Sequence, residues 1–144
     1  MTALLLTAIL IGVVLGLASL AGWLINRRSG VVRESVHDTG AEIDTSDLGL
    51  SRTGPTIVHF SAVWCGPCAG VRRVVHQVCS QLSDVGEVAH VEIDMDANPA
   101  AARRLSVLSL PTTFIFDADG RQRYRTAGVP KPADLRSALE PLLA

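Results

Sequence analysis

Three kinds of hydrophobic pattern follow one another along the chain. Residues 3–25 form an apolar run without a single charge, whereas residues 29–54 are mixed, polar and punctuated by glycines. From residue 56 onward, short β-branched runs alternate with stretches whose apolar positions recur at helical spacing. The pattern therefore predicts a membrane helix over residues 3–25, a connector over residues 26–54 and a folded domain over residues 55–144.

The apolar run is long enough to cross a bilayer. At 1.5 Å per residue, a helix over residues 3–25 measures about 34 Å, against about 30 Å of hydrocarbon. Trp23 lies near its end, where an indole suits the membrane interface. A cleavable signal peptide stays open as the alternative, but Met1 and Thr2 supply none of the basic side chains that such a peptide carries ahead of its apolar part. We therefore predict a single-pass anchor in the cell membrane.

The charges that flank this run predict its orientation. Arg27, Arg28 and Arg33 follow the run, and no basic side chain precedes it. The positive-inside rule then places the carboxy-terminal domain in the cytoplasm. An extracytoplasmic domain is the alternative, and it would serve oxidation or maturation of other proteins instead of reduction.

The order of predicted elements indicates an α/β fold. In the connector we expect a short strand over residues 31–36 and a short helix, capped by Thr45 or Ser46, that ends at Leu50. Strands joined through helices are expected to run parallel, whereas the Asp119-Gly120 turn predicts an antiparallel hairpin, so the sheet is mixed and flanked by helices. The domain's strands are predicted at 56–60, 88–93, 112–116 and 121–126, and its helices at 66–83, at 98–105 and from 132.

Charge and cysteine content narrow the functional classes. The net charge is −1, which gives no electrostatic basis for binding nucleic acid. The chain has three cysteines, too few and too unevenly paired for a scaffold held together by disulfides. Cys65 and Cys68 are spaced as CxxC and are therefore available for chemistry.

The position of the CxxC suits thiol chemistry. Cys65 follows a predicted strand and begins a predicted helix, where free backbone N–H groups and the helix dipole favour the thiolate. Cys68 lies on the same side of that helix, and Gly66 and Pro67 fill the first turn, where a missing N–H costs little. We therefore expect Cys65 to attack a disulfide and Cys68 to resolve the product.

A zinc site is the structural alternative for these cysteines. Cys65, Cys68, His76 and Cys79 are residue types that bind zinc, but the last three fall on the helix predicted over residues 66–83 and Cys65 directly precedes it. Cys79 would lie about 16 Å beyond Cys68 along that helix, whereas ligand atoms of one zinc lie within about 4 Å of each other. We predict no metal and no cofactor, although zinc bound by the CxxC and distant groups stays open, and we place Cys79 in the core.

Two motifs together resemble thioredoxin. They are the run Trp64-Cys65-Gly66-Pro67-Cys68 after a strand and Leu110-Pro111-Thr112 at the start of a later strand, with Gly120 and Gly128 in the turns that follow. The resemblance covers about residues 55–144. It implies a thioredoxin fold and an enzyme that reduces protein disulfides with electrons from an upstream donor, whose identity the sequence does not give.

The resemblance also implies a binding surface around the cysteines. Pro111 would be a cis-proline that faces them, and the backbone of Leu110 would pair with an extended substrate strand. A flat rim that docks partner proteins would be formed by Trp64, Gly66, Pro67, Gly128 and Val129.

Two positions depart from the family pattern. His59 stands where thioredoxins typically carry a buried Asp, and His90 stands where they carry a Lys. One interpretation is a pair of inert core histidines; the other is that neutral His59 acts as the base for Cys68. The first strand–helix unit of a full thioredoxin also looks shortened between Gly30 and Gly54.

The leading hypothesis is a protein-disulfide reductase at the cytoplasmic membrane surface. Gly-Pro between the cysteines resembles the reducing members of the family, whose potential is about −270 mV. Two alternatives stay open. One is an extracytoplasmic oxidoreductase for cytochrome or secreted-protein maturation, and the other is a thioredoxin-like interaction module without enzymatic activity.

Overall fold

A computed structural model describes residues 1–26, 30–35 and 44–144 of the chain. Its helices are α1 (Thr2–Asn26), α2 (Cys68–Leu82), α3 (Pro99–Arg104) and α4 (Pro132–Leu139), and a 3₁₀ turn (Glu140–Leu142) follows α4. Its strands are β1 (Arg33–Glu34), β2 (Thr56–Ser61), β3 (Ala89–Asp94), β4 (Thr112–Phe116) and β5 (Gln122–Ala127).

The described strands form one mixed sheet in the order β1-β5-β4-β2-β3. β2 and β3 run parallel, and the other neighbouring pairs run antiparallel. Every residue of β2 and β4 is buried, because helices cover both faces of the sheet. Phe60 and Phe114 face α3, whereas Ile57 and Ile115 alternate to the face under α2 and α4. The predicted α/β architecture is confirmed.

The expectation that strands joined through helices run parallel is wrong for β3 and β4. β4 is antiparallel to β2, and β2 is parallel to β3, so β4 runs opposite to β3. Asp94 at the end of β3 pairs with Ser61, and Thr112 at the start of β4 pairs with Phe60. The connection that contains α3 therefore leaves and re-enters the sheet at the same end, which makes the two strands antiparallel.

The helix that follows the CxxC begins later than predicted. α2 begins at Cys68 with Pro67 at its N-cap, whereas the apolar spacing predicted a start at residue 66. Cys68 N–H donates to the Cys65 carbonyl at 3.3 Å, so the segment between the two cysteines is a turn that leads into the helix. The other bounds predicted for the domain differ by about one residue from those observed.

The connector also differs from its prediction. Residues 46–49 form turns, and the predicted short helix is absent there. Asp44 Oδ1 accepts from both N–H and Oγ of Ser46, so Asp44 starts the turn instead of Thr45 or Ser46. Gly49 then takes a φ of +68°, a left-handed conformation that ends any helix. The predicted strand is reduced to β1, and its expected end at residue 36 lies outside the described residues.

The apolar run forms one helix, α1. Residues 4–25 of it are long and apolar enough to cross a membrane by length and composition, and none of that window is buried against the rest of the protein. Arg27 and Arg28, on which the predicted orientation depends, lie outside the described residues. β1 pairs antiparallel with β5, so the chain joins the sheet at its outer edge.

Candidate redox-active site

Two loops lie side by side at one end of the central strands β2 and β4. Phe60 near the end of β2 pairs with Thr112 at the start of β4. Because these strands are antiparallel, the loop that leaves β2 and the loop that enters β4 lie side by side. The first loop carries residues 64–68 and the second carries Leu110 and Pro111, so the two motifs of the sequence belong to one site.

The two cysteines differ in access to solvent. Their sulfurs form a disulfide, with 5.5 Å between the Cα atoms. Cys65 is half-buried, in the turn just before α2, whereas Cys68 is fully buried at the first position of the helix. The Cys68 sulfur lies 4.0 Å from the Phe60 carbonyl oxygen. An incoming disulfide can therefore reach Cys65 but not Cys68.

A cis-proline loop closes the other side of the site. The Leu110–Pro111 peptide bond is cis, the conformation that the resemblance implies. The Pro111 carbonyl accepts from Gly128 N–H at 2.8 Å. Val129 packs against the first turn of α2, since a Cβ added at Gly70 would lie 3.1 Å from Val129 Cγ2. Gly128 and Val129 thus connect the proline loop to the cysteine helix.

Exposed apolar side chains surround the cysteines. Trp64 is 64% exposed and Val129 is 37% exposed, while Gly66 and Pro67 are exposed and Leu110 is half-buried. The Trp64 indole N–H donates to Asp96 Oδ2 at 2.9 Å, which orients the ring. No sequence pattern marks Asp96, because only the tertiary fold brings the loop after β3 beside the loop after β2.

His59 and His90 are in direct contact. His59 is fully buried in β2, and its Nδ1 lies 2.9 Å from His90 Nε2 on β3. His90 is exposed, so the interpretation of two core histidines fits only His59. No hydrogen bond joins His59 to Cys68 within the part of the chain that the structure describes; the polar contacts of His59 run to β3.

A fixed carboxylate completes this polar cluster. Glu92 Oε1 accepts from Ser61 Oγ at 2.6 Å, and both Glu92 oxygens accept from Arg72 at 2.9 to 3.1 Å. His59 Nε2 lies 3.6 Å from Glu92 Oε1. The sequence points to His59 and His90 but not to Glu92 and Arg72, although the parallel register that pairs His59 with Glu92 could have been anticipated from the two strand patterns.

The cluster shifts the protonation of its members. Burial lowers the pKa of His59 to about 4, so the ring is neutral near neutral pH. Burial also lowers the pKa of His90. Hydrogen bonds from Arg72 and, more weakly, Ser61 lower the pKa of Glu92 to about 2, so this side chain stays a carboxylate.

The third cysteine lies apart from the site. Cys79 is half-buried on α2, packs against the core and has no disulfide partner. Burial raises the pKa of its thiol, which lowers its reactivity. Among the described residues, no group of three His, Cys, Asp or Glu side chains is arranged to hold a metal ion.

Comparisons with known proteins agree with this geometry. The family model described as Thioredoxin matches residues 45–141. A thioredoxin of Mycolicibacterium smegmatis is 38% identical over 105 residues, which cover 73% of this chain and 91% of the relative. A thioredoxin of Synechocystis sp. is also 38% identical, over 75% of this chain and 94% of its own length. The crystal structure of chloroplastic thioredoxin z superposes with a TM-score of 0.56 at 34% identity, over 63% of this chain and 80% of that one.

These findings define the class of protein. A disulfide-forming CxxC beside a cis-proline, on a mixed sheet flanked by helices, is the arrangement of a protein-disulfide oxidoreductase. The chain belongs to the thioredoxin family.

The protonation of the cluster predicts how stability depends on pH. Between pH 6.5 and about 4, the unfolded chain binds a proton at His59 that the folded chain does not. The free energy of unfolding should therefore fall as the pH is lowered through this window, by at most about 1.4 kcal/mol per pH unit for one proton. Denaturant titrations between pH 5.5 and 6.5 measure the slope above the range in which unfolded Glu92, with its ordinary pKa of 4.5, takes up a proton.

Two variants check the assignment of this slope. His59→Gln should make the slope shallower, because the glutamine does not titrate and only the part due to His90 remains. His76→Gln replaces an exposed histidine on α2, outside the cluster, and should leave the slope unchanged. An unchanged slope in His59→Gln would contradict the assignment to His59.

Proposed function

We propose that this protein reduces disulfides in other proteins at the surface of the membrane that α1 spans. Cys65 is the nucleophile and Cys68 the resolving thiol. The observation that carries the proposal is the difference in access between the two sulfurs, one half-buried beside Pro111 and the other fully buried. Only a sulfur that a substrate can reach can make the first attack.

The proposed reaction proceeds through two thiol–disulfide exchanges. The Cys65 thiolate attacks one sulfur of the substrate disulfide, and the other substrate sulfur leaves as a thiolate that takes up a proton. Cys68, as a thiolate, then attacks the Cys65 sulfur and releases the second substrate thiol. Two electrons have passed to the substrate, and Cys65 and Cys68 are joined as a disulfide. A dithiol donor returns two electrons and restores the reduced pair.

The rim around the cysteines would hold the substrate during attack. Leu110 precedes the cis-proline, and its backbone is proposed to pair with an extended substrate segment. Apolar contacts with the substrate would come from Trp64, Gly66, Pro67, Gly128 and Val129. The exposure of Trp64 and Val129 supports this proposal, because large apolar side chains left in solvent often mark contact surfaces.

His59 is proposed as the base that deprotonates Cys68, and the burial that lowers its pKa makes it a weaker base than a free imidazole. Its Nδ1 is engaged with His90, whereas its buried Nε2 has no hydrogen-bond partner among the described residues. In the tautomer that carries the proton on Nδ1, Nε2 holds a free lone pair. Because no direct hydrogen bond joins the two side chains, the proton would pass through one water. Glu92 Oε1, 3.6 Å from Nε2, would then stabilise the imidazolium.

The side of the membrane on which the domain lies is proposed from α1 and from the charged residues that flank it. A helix with an apolar window that is not buried supports anchoring. The arginines that follow it support a cytoplasmic domain, with the extracytoplasmic oxidoreductase as the second candidate. The third hypothesis is an interaction module without enzymatic activity. Its function would not depend on the cysteines, whereas both enzymatic hypotheses require them.

Replacement of either cysteine should have a distinct effect. In full-length protein held in detergent, Cys65→Ser should lower the rate of insulin reduction to that of dithiothreitol alone, because no accessible thiolate remains. Cys68→Ser should instead accumulate a mixed disulfide at Cys65, visible by non-reducing electrophoresis and mass spectrometry. Cys79→Ser is the matched control and should keep activity. Insulin reduction by Cys65→Ser that stays faster than with dithiothreitol alone would contradict the proposed enzyme.

Replacement of His59 should affect only the second exchange. We expect His59→Ala to slow release of the mixed disulfide by about 100-fold, the lower end of the range for general-base catalysis, while attack by Cys65 changes little. Stopped-flow Trp64 fluorescence separates the two steps. His76→Ala should change neither step. Equal slowing of both steps, or of neither, would show that His59 is not the base.

The side of the membrane is tested by reporter fusions. A reporter that is active only in the cytoplasm should work when fused after Ala144 and fail when fused before Met1. The reverse result would overturn the cytoplasmic placement and favour the extracytoplasmic oxidoreductase. Two failures of a reporter that is shown to be expressed would contradict a single-pass anchor.

A further inference from the structure

The chain is attached to the domain directly beside the redox site. After α1 ends at Asn26, Gly30 donates its N–H to the Ala127 carbonyl at 2.6 Å. Gly30 is buried with a φ of +81°, and a Cβ there would overlap the Val129 carbonyl oxygen. Only glycine fits this contact. The attachment therefore lies against the same loop that carries Gly128 and Val129.

The strand that follows fixes the direction of the attachment. Arg33 pairs with Arg125, and Ser35 N–H donates to the Arg123 carbonyl at 2.8 Å. The Gln122 side-chain amide adds a hydrogen bond to Ser35 Oγ at 2.6 Å. Because β1 is antiparallel to β5, the chain arrives at the end of β5 where the redox site lies and then runs away from it. The end of α1 is thus on the redox side of the domain.

The distance from the membrane helix to the site is short. Four Cα–Cα steps separate Asn26 from Gly30, and at 3.8 Å each they span at most about 15 Å. Ile25 near the end of α1 lines a cavity of about 630 Å³ together with Leu110 and Gly128. The same cavity is lined by Arg33 and Arg125 against a single Glu34, an excess of positive charge that suits anionic lipid headgroups.

Val63, next to Trp64, is a further exposed apolar side chain beside the cysteines. We propose that the redox face, defined as Val63, Trp64, Cys65, Leu110 and Val129, is turned toward the bilayer, and that its partner is an integral membrane protein with a disulfide at headgroup level. This rests on the anchoring by α1 proposed above. The gap between the domain and the membrane is limited by the four Cα–Cα steps, which span at most about 15 Å. A folded domain of about 100 residues has a radius of gyration of about 13 Å and is therefore too wide to enter this gap. Such soluble proteins are excluded from the face, whereas a loop that emerges from the bilayer fits beneath it.

Trp64 provides a built-in probe of this orientation. The chain has two tryptophans, so Trp23→Phe leaves Trp64 as the only one. The full-length variant is reconstituted into phosphatidylcholine–phosphatidylglycerol vesicles that contain a lipid with a spin-labelled headgroup, which quenches nearby tryptophan fluorescence. We expect strong quenching of Trp64. The control is the same spin label free in solution at the same bulk concentration. If the headgroup label quenches Trp64 no more than this control, the proposal is overturned.

Two further changes in the Trp23→Phe background separate orientation from simple proximity. A 20-residue Gly-Ser segment inserted after Arg28 adds a root-mean-square reach of about 25 Å and should remove most of the quenching. Gly30→Ala should also reduce it, because the new Cβ breaks the contact with Val129. Gly49→Ala is the matched control: it has a similar positive φ but open space around its Cβ, and it should keep the quenching.

A second measurement keeps anchoring and orientation apart. Extraction of the vesicles with alkaline carbonate reports whether the chain is inserted at all. Release of the protein by carbonate would contradict the anchor, whereas retention without Trp64 quenching would contradict only the orientation. With dithiothreitol as reductant, the anchored protein should reduce a disulfide linked to a lipid headgroup faster than the same disulfide linked to a soluble folded carrier. The inserted Gly-Ser segment should abolish that preference, and a preference that is absent from the start would overturn the proposal.

Discussion

Backbone pairing between the end of β2 and the start of β4 holds the whole site together. Both strands are buried along their full length, and the pair Phe60–Thr112 sits where one loop leaves the sheet and the other enters it. Side chains on the two faces bind the sheet to α3 on one side and to α2 and α4 on the other. The paired central strands therefore hold the cysteine loop and the cis-proline loop in position. Both loops are short and open to solvent.

The polar cluster under α2 shows how the fold tolerates a buried ionisable residue. A charge at the position of His59 would be costly to bury, and the ring avoids this cost because burial holds it neutral. The carboxylate in the cluster, Glu92, lies nearer the surface, where Arg72 and Ser61 satisfy its oxygens. Negative charge is thus kept at the rim of the cluster, while the buried position holds a group that can exchange a proton.

Most of the fold and the centre of the site can be predicted from the sequence, because both depend on local patterns. β-branched runs and helical spacing located the elements of the domain, and the two motifs identified Cys65, Cys68 and Pro111. The predictions that failed concern features that depend on the tertiary structure. The connection through α3 re-enters the sheet at the end where β3 leaves it, and the left-handed Gly49 ends a turn where the pattern predicts a helix. Asp96 and Arg72 join the site only through the packing of separate elements, which single-strand patterns do not contain.

Where α1 anchors the chain as proposed, the position of β3 at the end of the described sheet has a consequence for molecules that share one membrane plane. Confinement to two dimensions raises the frequency of encounters between copies, and an open strand edge is a template for pairing between chains. β3 alternates exposed and more buried side chains, and the exposed ones are His90 and Glu92. Charged and polar side chains on an edge strand disfavour such pairing, and Glu92 is bound by Arg72 on this edge. The residues that surround the buried imidazole thus also limit association between anchored copies.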